Sequence, residues 1–227
     1  SDGFKNEFPC TSFLSLPAAI HVRRDLLLLA FCHDCEASPA TWNCESIKPV
    51  FPYKLKSAAL ITTGGEVAKG LIRDTFSDVV IEKLKAYGIE TVEHCYPGDD
   101  EALITEKIAE YKAKGVDMIL CTGGMSVDPD DRTPGAIKRS GAQIVTYGAP
   151  VLPGAMFLLA YAENGTPIVG LPGCVMYSKR TIFDLVLPRL IADDEVTAEE
   201  LAGLGEGGLC LNCKVCTFPN CGFGKGR

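Results

Sequence analysis

The sequence lacks any long hydrophobic stretch, and its longest purely aliphatic run extends only from Leu26 to Ala30. A helix that crosses a bilayer needs about 20 apolar residues, so the sequence predicts no membrane span. Residues 1–9 carry charges of both signs and contain no apolar segment. We therefore expect no secretory signal at that end of the sequence.

Positive charge is also scarce, because 22 Lys and Arg residues stand against 29 Asp and Glu residues and the formal net charge is −7. Proteins that bind DNA or RNA without sequence preference neutralise phosphates with Lys and Arg. The acidic balance therefore argues against nucleic acid as a partner. It is still compatible with one phosphate bound by backbone N–H groups at the start of a helix.

Cysteine, in contrast, is abundant, with 11 residues in the chain. A secreted disulfide scaffold would be smaller and would distribute its cysteines along the whole sequence. Here the count is odd, and Cys210, Cys213, Cys216 and Cys221 are clustered. We expect a reducing, cytoplasmic compartment and a metal site at the C-terminal end.

The composition divides the chain into three zones. Residues 1–55 are irregular and contain several prolines, and they are interpreted as an N-terminal segment that could be the remnant of another domain. Residues 56–192 alternate short apolar runs with helical patterns. Residues 193–227 form a tail that is rich in Gly and Cys.

The middle zone predicts an α/β fold. Its strands are expected at 58–62, 89–95, 116–121, 142–147 and 167–171. Its helices are expected near 80–87, from Asp99 or Asp100 to Gly115, and over 134–139, 152–164 and 176–192. The strands are continuous apolar runs, as expected when helices cover both faces of a parallel sheet. The prediction is a three-layer α/β/α sandwich with a mostly parallel sheet.

Ligands bind beyond the carboxyl ends of the strands in such sheets. Four of the loops at these ends are rich in Gly, Thr, Ser or Asp, namely 62–66, 97–101, 122–131 and 171–173. Turn chemistry alone accounts for any one of them. The loops at the opposite edge are plain short caps, so four such loops on one edge favour a binding site.

Two glycine pairs, Gly64-Gly65 and Gly123-Gly124, suggest a phosphate ligand, because a Gly-rich turn before a helix exposes backbone N–H groups. Neither pair belongs to a Walker motif or to a GxGxxG fingerprint, so ATPase and dehydrogenase functions gain no support. Asp100 and Asp131 follow strands that we expect to be adjacent. They are candidates for holding Mg²⁺ or the N–H edge of a purine- or pterin-like ring. Asp100 equally fits a helix N-cap.

The loop Thr122-Gly-Gly-Met-Ser-Val-Asp-Pro-Asp-Asp-Arg-Thr-Pro134 resembles the signature of the molybdopterin-binding (MoaB/Mog) domain. This domain is shared by molybdopterin molybdenumtransferases, molybdopterin adenylyltransferases and gephyrin. The family's acidic residue after the Gly-Gly pair is matched by Asp131, and its other functional Asp by Asp100. Thr63-Gly-Gly-Glu66 resembles the first loop of the family.

Leu171-Pro-Gly173 resembles the family's Leu-Pro-Gly loop. The family often continues with a small polar residue and Pro, whereas this sequence continues with Cys174-Val-Met176. The resemblance covers roughly residues 56–192.

The resemblance implies a domain that binds the pyranopterin dithiolate, usually with Mg²⁺, and often assembles as a trimer or dimer. It implies catalytic roles for Asp100 and Asp131. The implied ligand contacts are Thr63, Gly64, Glu66, Thr122, Gly123, Gly124, Ser126, Pro172 and Gly173.

The implied chemistry is insertion of molybdenum into adenylylated molybdopterin, and the alternative is the preceding adenylyl transfer. Met125-Ser-Val127 resembles the molybdenumtransferase form, whereas Asp131-Arg-Thr-Pro134 resembles the adenylyltransferase form. A non-catalytic carrier or sensor of the cofactor is a further alternative. The partners would be molybdate, a nucleotide or a molybdenum enzyme. Competence-damage proteins with nucleotide-processing activity carry a related domain and are a more distant option.

The tail motif Cys210-x₂-Cys213-x₂-Cys216-x₄-Cys221 is able to wrap one metal centre. Zinc sites more often pair two CxxC units across a longer spacer, whereas a CxxCxxC triplet is closer to ferredoxin-type ligation. We therefore favour a [4Fe–4S] cluster over Zn²⁺. A zinc-stabilised interaction module is the remaining hypothesis.

Other residues receive weaker interpretations. Cys32-His-Asp-Cys35 is a CxxC pair in an irregular context, and Cys121 is expected to be a small buried hydrophobic residue. His94 and Trp42 receive no functional role.

Overall fold

A computed structural model describes residues 20–22, 50–126, 128 and 130–225. The Cys32–Cys35 pair, Cys44 and Trp42 lie outside the described residues, as does most of the predicted zone 1–55. The described residues of that zone include two short strands that pair antiparallel, with Ile20 opposite Pro52 and Val22 opposite Val50.

The domain contains eight strands and seven α-helices among the described residues. The strands are β1 (Ile20–Val22), β2 (Val50–Pro52), β3 (Ser57–Thr62), β4 (Glu90–Cys95), β5 (Ile119–Thr122), β6 (Gln143–Tyr147), β7 (Leu158–Tyr161) and β8 (Pro167–Leu171). The helices are α1 (Gly65–Ala68), α2 (Phe76–Lys85), α3 (Glu101–Lys114), α4 (Thr133–Arg139), α5 (Cys174–Tyr177), α6 (Ile182–Ile191) and α7 (Ala198–Gly203).

Six strands form the main sheet in the order β4-β3-β5-β8-β7-β6. The first four are parallel, and β7 runs antiparallel to both of its neighbours. The predicted mostly parallel sheet is confirmed. The four parallel strands are adjacent, so their carboxyl ends meet at one edge.

The core has two halves, one on each face of this sheet. In β3, Ala58 and Leu60 pack into one cluster with residues of α2 and α6, whereas Ala59 and Ile61 pack into the other with residues of α3 and α4. Successive strand residues point to opposite faces, so a strand buried on both sides must be apolar throughout. This arrangement confirms the three layers.

The predicted helix over 152–164 is wrong, because its second half is strand β7. Leu158 and Ala160 belong to one core cluster, and Phe157 and Leu159 belong to the other. A short continuous apolar run fits a buried strand or a buried helix equally well in sequence. The segment is a strand because β6 and β8 hydrogen-bond to its two edges.

The predicted helix over 176–192 is interrupted, because α5 ends at Tyr177 and α6 begins after Thr181. The Thr181 hydroxyl accepts from the Phe183 N–H at 3.2 Å. The Asp184 carboxylate accepts from the Thr181 N–H at 2.8 Å. This reciprocal capping box fixes a new helix start.

Other boundaries follow the predicted signals. Gly115 ends α3 in the left-handed conformation at φ 73°, which costs glycine little. None of the helices in the described ranges is long and apolar enough to cross a membrane.

Helix α3 offers a test of the two-sided core. Ile108 is fully buried on α3, and Leu103 on the same helix is 45% exposed. We expect Ile108→Ala to lower the free energy of unfolding by about 2–5 kcal/mol, because it leaves a cavity. The matched control Leu103→Ala should change it by about 0.5 kcal/mol or less. Urea denaturation measures both values, and equal losses would contradict the assigned faces of α3.

Candidate functional site

The loops that follow β3, β4, β5 and β8 lie at the same edge of the sheet, because these strands are parallel neighbours. The structure therefore brings together the four segments that the sequence singled out. The roles predicted for their individual residues stay predictions.

Three threonines join the loop after β3 to the loop after β5. The Thr63 N–H donates to the Thr122 carbonyl at 2.8 Å, and the Thr63 hydroxyl lies 3.2 Å from the Thr133 hydroxyl. The Thr133 hydroxyl donates to the Gly123 carbonyl at 2.9 Å. All three threonines are buried. Buried hydroxyls with partners fix the two loops relative to one another.

Gly123 and Gly124 allow this close approach. Their φ angles are 83° and 52°, values that side-chain-bearing residues adopt only at a cost. A Cβ atom at Gly123 would lie 2.6 Å from the Thr63 carbonyl oxygen. The glycine pair is therefore required by the contact with the first loop, in addition to any role in ligand binding.

The predicted functional residue Asp131 folds back onto its own loop. Its Oδ2 accepts from the Ser126 N–H at 2.5 Å. At the carboxyl end of β6, the Tyr147 hydroxyl donates to the Ser126 carbonyl at 2.9 Å. Burial raises the pKa of Tyr147, and the nearby Asp131 carboxylate adds to the rise. Met125, which is buried beneath the loop, packs against Gly170 of β8.

The loop after β4 places two adjacent carboxylates in different roles. Asp99 Oδ2 accepts from the Gly65 N–H at 2.6 Å, which ties this loop to the first glycine pair. Asp100 Oδ1 accepts from the N–H groups of Ala102 and Leu103 at 2.9 and 3.2 Å. Asp100 thus adopts the N-cap geometry that the sequence left as an alternative.

Asp100 and Asp131 do not follow adjacent strands, because β3 lies between β4 and β5. That part of the prediction is wrong, and the reason is the β4-β3-β5 order, which chain order does not reveal. Within the described ranges, no group of three or more His, Cys, Asp or Glu side chains is arranged to hold a metal ion.

The last loop turns directly into a helix. The Pro172 carbonyl accepts from the Val175 N–H at 3.0 Å, so Pro172 and Gly173 lie between the end of β8 and the start of α5. Burial raises the pKa of the Cys174 thiol.

Sequence analysis missed a polar cluster beneath this edge. His94 Nε2 lies 2.8 Å from the Thr62 hydroxyl and 3.1 Å from the Ser77 hydroxyl. The Asp74 carboxylate accepts from the Ser77 hydroxyl and lies 3.6 Å from His94 Nε2. Asp74 followed by Ser77 is a readable helix-start signal, whereas no sequence pattern connects either residue to His94.

This cluster shifts the pKa values of both of its titratable residues, Asp74 and His94. Burial alone would raise the pKa of Asp74, but hydrogen bonds from Ser77 and Phe76, with His94 nearby, hold it below its usual value. Burial lowers the pKa of His94, and the Asp74 carboxylate partly opposes that shift.

The C-terminal tail packs beside α6, away from this cluster. Phe223 is buried in the core, and the predicted metal ligands Cys210, Cys213, Cys216 and Cys221 line one pocket.

Comparison with known proteins identifies the domain. Residues 59–192 match the family described as a probable molybdopterin binding domain. The chain belongs to this family. The resemblance that was based on the four loops is confirmed, and molybdopterin is the ligand that the domain supports.

Two curated relatives match parts of the chain. Molybdopterin molybdenumtransferase of Synechococcus elongatus is 28% identical over 142 residues, which cover 59% of this chain and 35% of that protein. A CinA-like protein of Desulfosudis oleivorans is 37% identical over 83 residues, which cover 37% of this chain and 20% of that protein. The chain therefore spans well under half the length of either relative.

Among solved structures, the molybdopterin biosynthesis enzyme MoaB of Thermus thermophilus aligns with a TM-score of 0.49 at 19% identity. The alignment covers 63% of this chain and 99% of that chain.

The glycine pair gives a first prediction for the site. We expect Gly123→Ala to lower the free energy of unfolding by about 1–3 kcal/mol, because the backbone conformation is strained for alanine. Gly173→Ala is the matched control, since an added Cβ at Gly173 meets no atom within 4 Å. Thermal and urea denaturation compare the two variants, and an equally stable Gly123→Ala protein would contradict the described contact.

Asp74 gives a prediction on pH dependence. Because its pKa is lower in the folded than in the unfolded state, its stabilisation is complete above the unfolded-state pKa and is lost as the pH falls through the folded-state pKa. We expect Asp74→Asn to cost about 1–2 kcal/mol at neutral pH, and the difference from wild type should shrink towards about pH 3.

Asp78→Asn, in the first turn of α2, is the control for this prediction. Asp78 is 65% exposed and pairs with the exposed Arg73 at 3.3 Å, so its substitution should leave stability nearly unchanged. Urea midpoints at several pH values make the measurement. A constant difference between Asp74→Asn and wild type across the pH range would exclude the assigned role.

Proposed function

We propose that this chain inserts molybdenum into adenylylated molybdopterin bound at the carboxyl edge of its sheet, in the cytoplasm. The observation that supports this step best is the position of Asp131, whose carboxylate is held by the Ser126 N–H beside the Gly123-Gly124 turn. Met125-Ser-Val127 of this loop resembles the molybdenumtransferase form, and one relative carries that name.

The proposed binding site of the ligand phosphate is the third loop, residues 122–131, which follows β5. The Gly65 N–H of the first glycine pair already donates to Asp99, so a carboxylate of the protein itself occupies that donor. The turn at Gly123 and Gly124 has left-handed φ angles at both residues. Successive N–H groups in such a turn form a concavity for an anion, and Ser126 is exposed next to it.

Mg²⁺ is part of this proposal, with Asp100 and Asp131 as its candidate ligands. Carboxylate oxygens are the donors that Mg²⁺ prefers, and it would neutralise charge on the phosphate groups of the ligand. Asp100 uses Oδ1 to cap α3. A carboxylate has two oxygens with several acceptor sites, so capping and metal binding are compatible in the same side chain.

The other loops complete the proposed pocket. We assign Thr63, Gly64 and Glu66 to the wall beside the third loop, and Pro172 and Gly173 to the opposite wall after β8. Thr122 acts by fixing the relative position of the loops, because it is buried and bonded to Thr63.

Adenylylation of molybdopterin is the second candidate function. The segment from Asp131 to Pro134 has the adenylyltransferase form, and the Arg132 side chain is 49% exposed next to the loop. A cation at this position suits a nucleotide phosphate. The remaining alternative is a carrier that binds the cofactor without turnover. Such a carrier would be a dimer or trimer that delivers the cofactor to a molybdenum enzyme. The predicted iron–sulfur or zinc centre of the tail takes no part in these steps.

A product assay distinguishes these functions. Anaerobically purified protein is incubated with molybdopterin or its adenylylated form, and then with molybdate or with ATP, in the presence of Mg²⁺. We expect a molybdenum-containing cofactor, identified by mass spectrometry and metal analysis. Adenylylated molybdopterin as the product would replace insertion with the second candidate. Binding without any product would make the chain a carrier, and absence of binding would contradict the proposed pocket.

A substitution at Asp131 tests the proposal most directly. We expect Asp131→Asn to reduce turnover by roughly 100-fold or more, because the carboxylate charge is lost while the amide oxygen still accepts from Ser126. Asp130→Asn is the neighbouring control, since Asp130 is 92% exposed. Steady-state rates and circular dichroism are measured for both. Full activity in folded Asp131→Asn protein would refute the role of Asp131.

A further inference from the structure

The four cysteines of the tail converge on one cavity. Cys210, Cys213, Cys216 and Cys221 line a pocket of about 100 Å³, together with Lys179, Arg180 and Phe218. Cys213 and Cys216 are exposed, whereas Cys210 and Cys221 are half-buried. The four cysteines that are close together in the motif therefore also line one pocket in the structure.

Both ends of the cysteine segment are anchored to the domain. The Cys210 N–H donates to the Leu152 carbonyl at 2.8 Å, and Phe223 is 4% exposed within the core. Between these anchors, Leu211 and Val215 are both 77% exposed. The segment is thus a loop that is fixed at each end and passes over the pocket.

Arg180 links the pocket to helix α6. Its Nη1 donates to Asp184 Oδ1 at 2.9 Å, and its guanidinium lies 4.8 Å from the centre of the Phe218 ring. Arg180 Nε is buried and has no hydrogen-bond partner among the described residues. Arg180 therefore brings a positive charge to the wall of the pocket.

We propose that this pocket is the binding site of a [4Fe–4S] cluster ligated by the four cysteines, independent of the molybdopterin site. Four thiolates around a cluster core of charge about +2 leave a net negative charge. Lys179 and Arg180 on the pocket wall supply compensating positive charge.

The geometry favours a cluster over a single ion. The pocket between the four cysteines holds about 100 Å³. A zinc ion needs all four sulfurs about 2.3 Å away, which leaves no such space. A cluster offers one iron to each cysteine at separate corners, so sulfurs spread around a wall suit it better.

The test measures metal in the intact chain. The protein is purified anaerobically and, in parallel, reconstituted with Fe²⁺ and sulfide. Iron, acid-labile sulfide and zinc are then quantified per chain. We expect about four iron and four sulfide, with a visible absorption that bleaches on reduction by dithionite. Cys213→Ser and Cys216→Ser should lose most of the iron, whereas Cys95→Ser, a free cysteine of β4, should retain it.

Three results would overturn this proposal. One zinc per chain without sulfide would replace the cluster by a tetrathiolate zinc site, and absence of both metals would remove the site altogether. Iron content that is unchanged in Cys213→Ser would place the metal elsewhere. Circular dichroism and thermal melting of the serine variants report on folding, and both substituted cysteines are exposed.

Arg180 supplies a second, spectroscopic test that does not remove a ligand. A positively charged donor beside a cluster sulfur stabilises the reduced, more negative state. We expect Arg180→Gln to lower the reduction potential while iron content is retained, and Arg180→Lys to stay close to wild type. Equal potentials in all three proteins would remove Arg180 from the cluster environment.

Discussion

Strands β3 and β5 are paired in parallel up to their last residues, Thr62 and Thr122, and the Thr122 hydroxyl donates to the Thr62 hydroxyl at 3.1 Å. This contact lies in the interior, where an unpaired hydroxyl would be costly. Further hydrogen bonds extend from this contact, on one side to Thr63 and the turn at Gly123, and on the other side from Thr62 to His94. The loops that form the candidate pocket take their positions from this one hydroxyl-rich junction.

Carboxylates around the junction accept hydrogen bonds from backbone N–H groups of the protein itself. Asp99, Asp100 and Asp131 each accept from a backbone N–H, so the loops keep their shape without a bound anion. Such a site loses little conformational freedom when it binds. The same carboxylates repel an anionic ligand, so the proposed phosphate site needs a compensating positive charge, a role that the proposed Mg²⁺ would fill.

The sequence predicted the parallel strands, the ends of α3 and the four loops, because these follow from local patterns of apolar and turn residues. It mispredicted the segment that contains β7, since a short apolar run such as 157–160 acquires its conformation only from neighbouring strands. The order of β4, β3 and β5 could not be predicted for the same reason. Asp100 and Asp131 were therefore expected on adjacent strands, although β3 lies between them. The His94 cluster joins residues from three segments, and the family match covers the domain but no individual role.

The junction also has a consequence for the time course of folding. The two threonine hydroxyls that meet there are separated by 60 positions in the chain, and pairings over such distances form slowly, because the loop must close before the contact can stabilise it. The pocket of the tail is bounded by Arg180 and Phe223, which depend on the finished sheet and α6. The proposed metal centre therefore reaches its complete environment, with Arg180 and Phe223 in place, only after the sheet and α6 have formed.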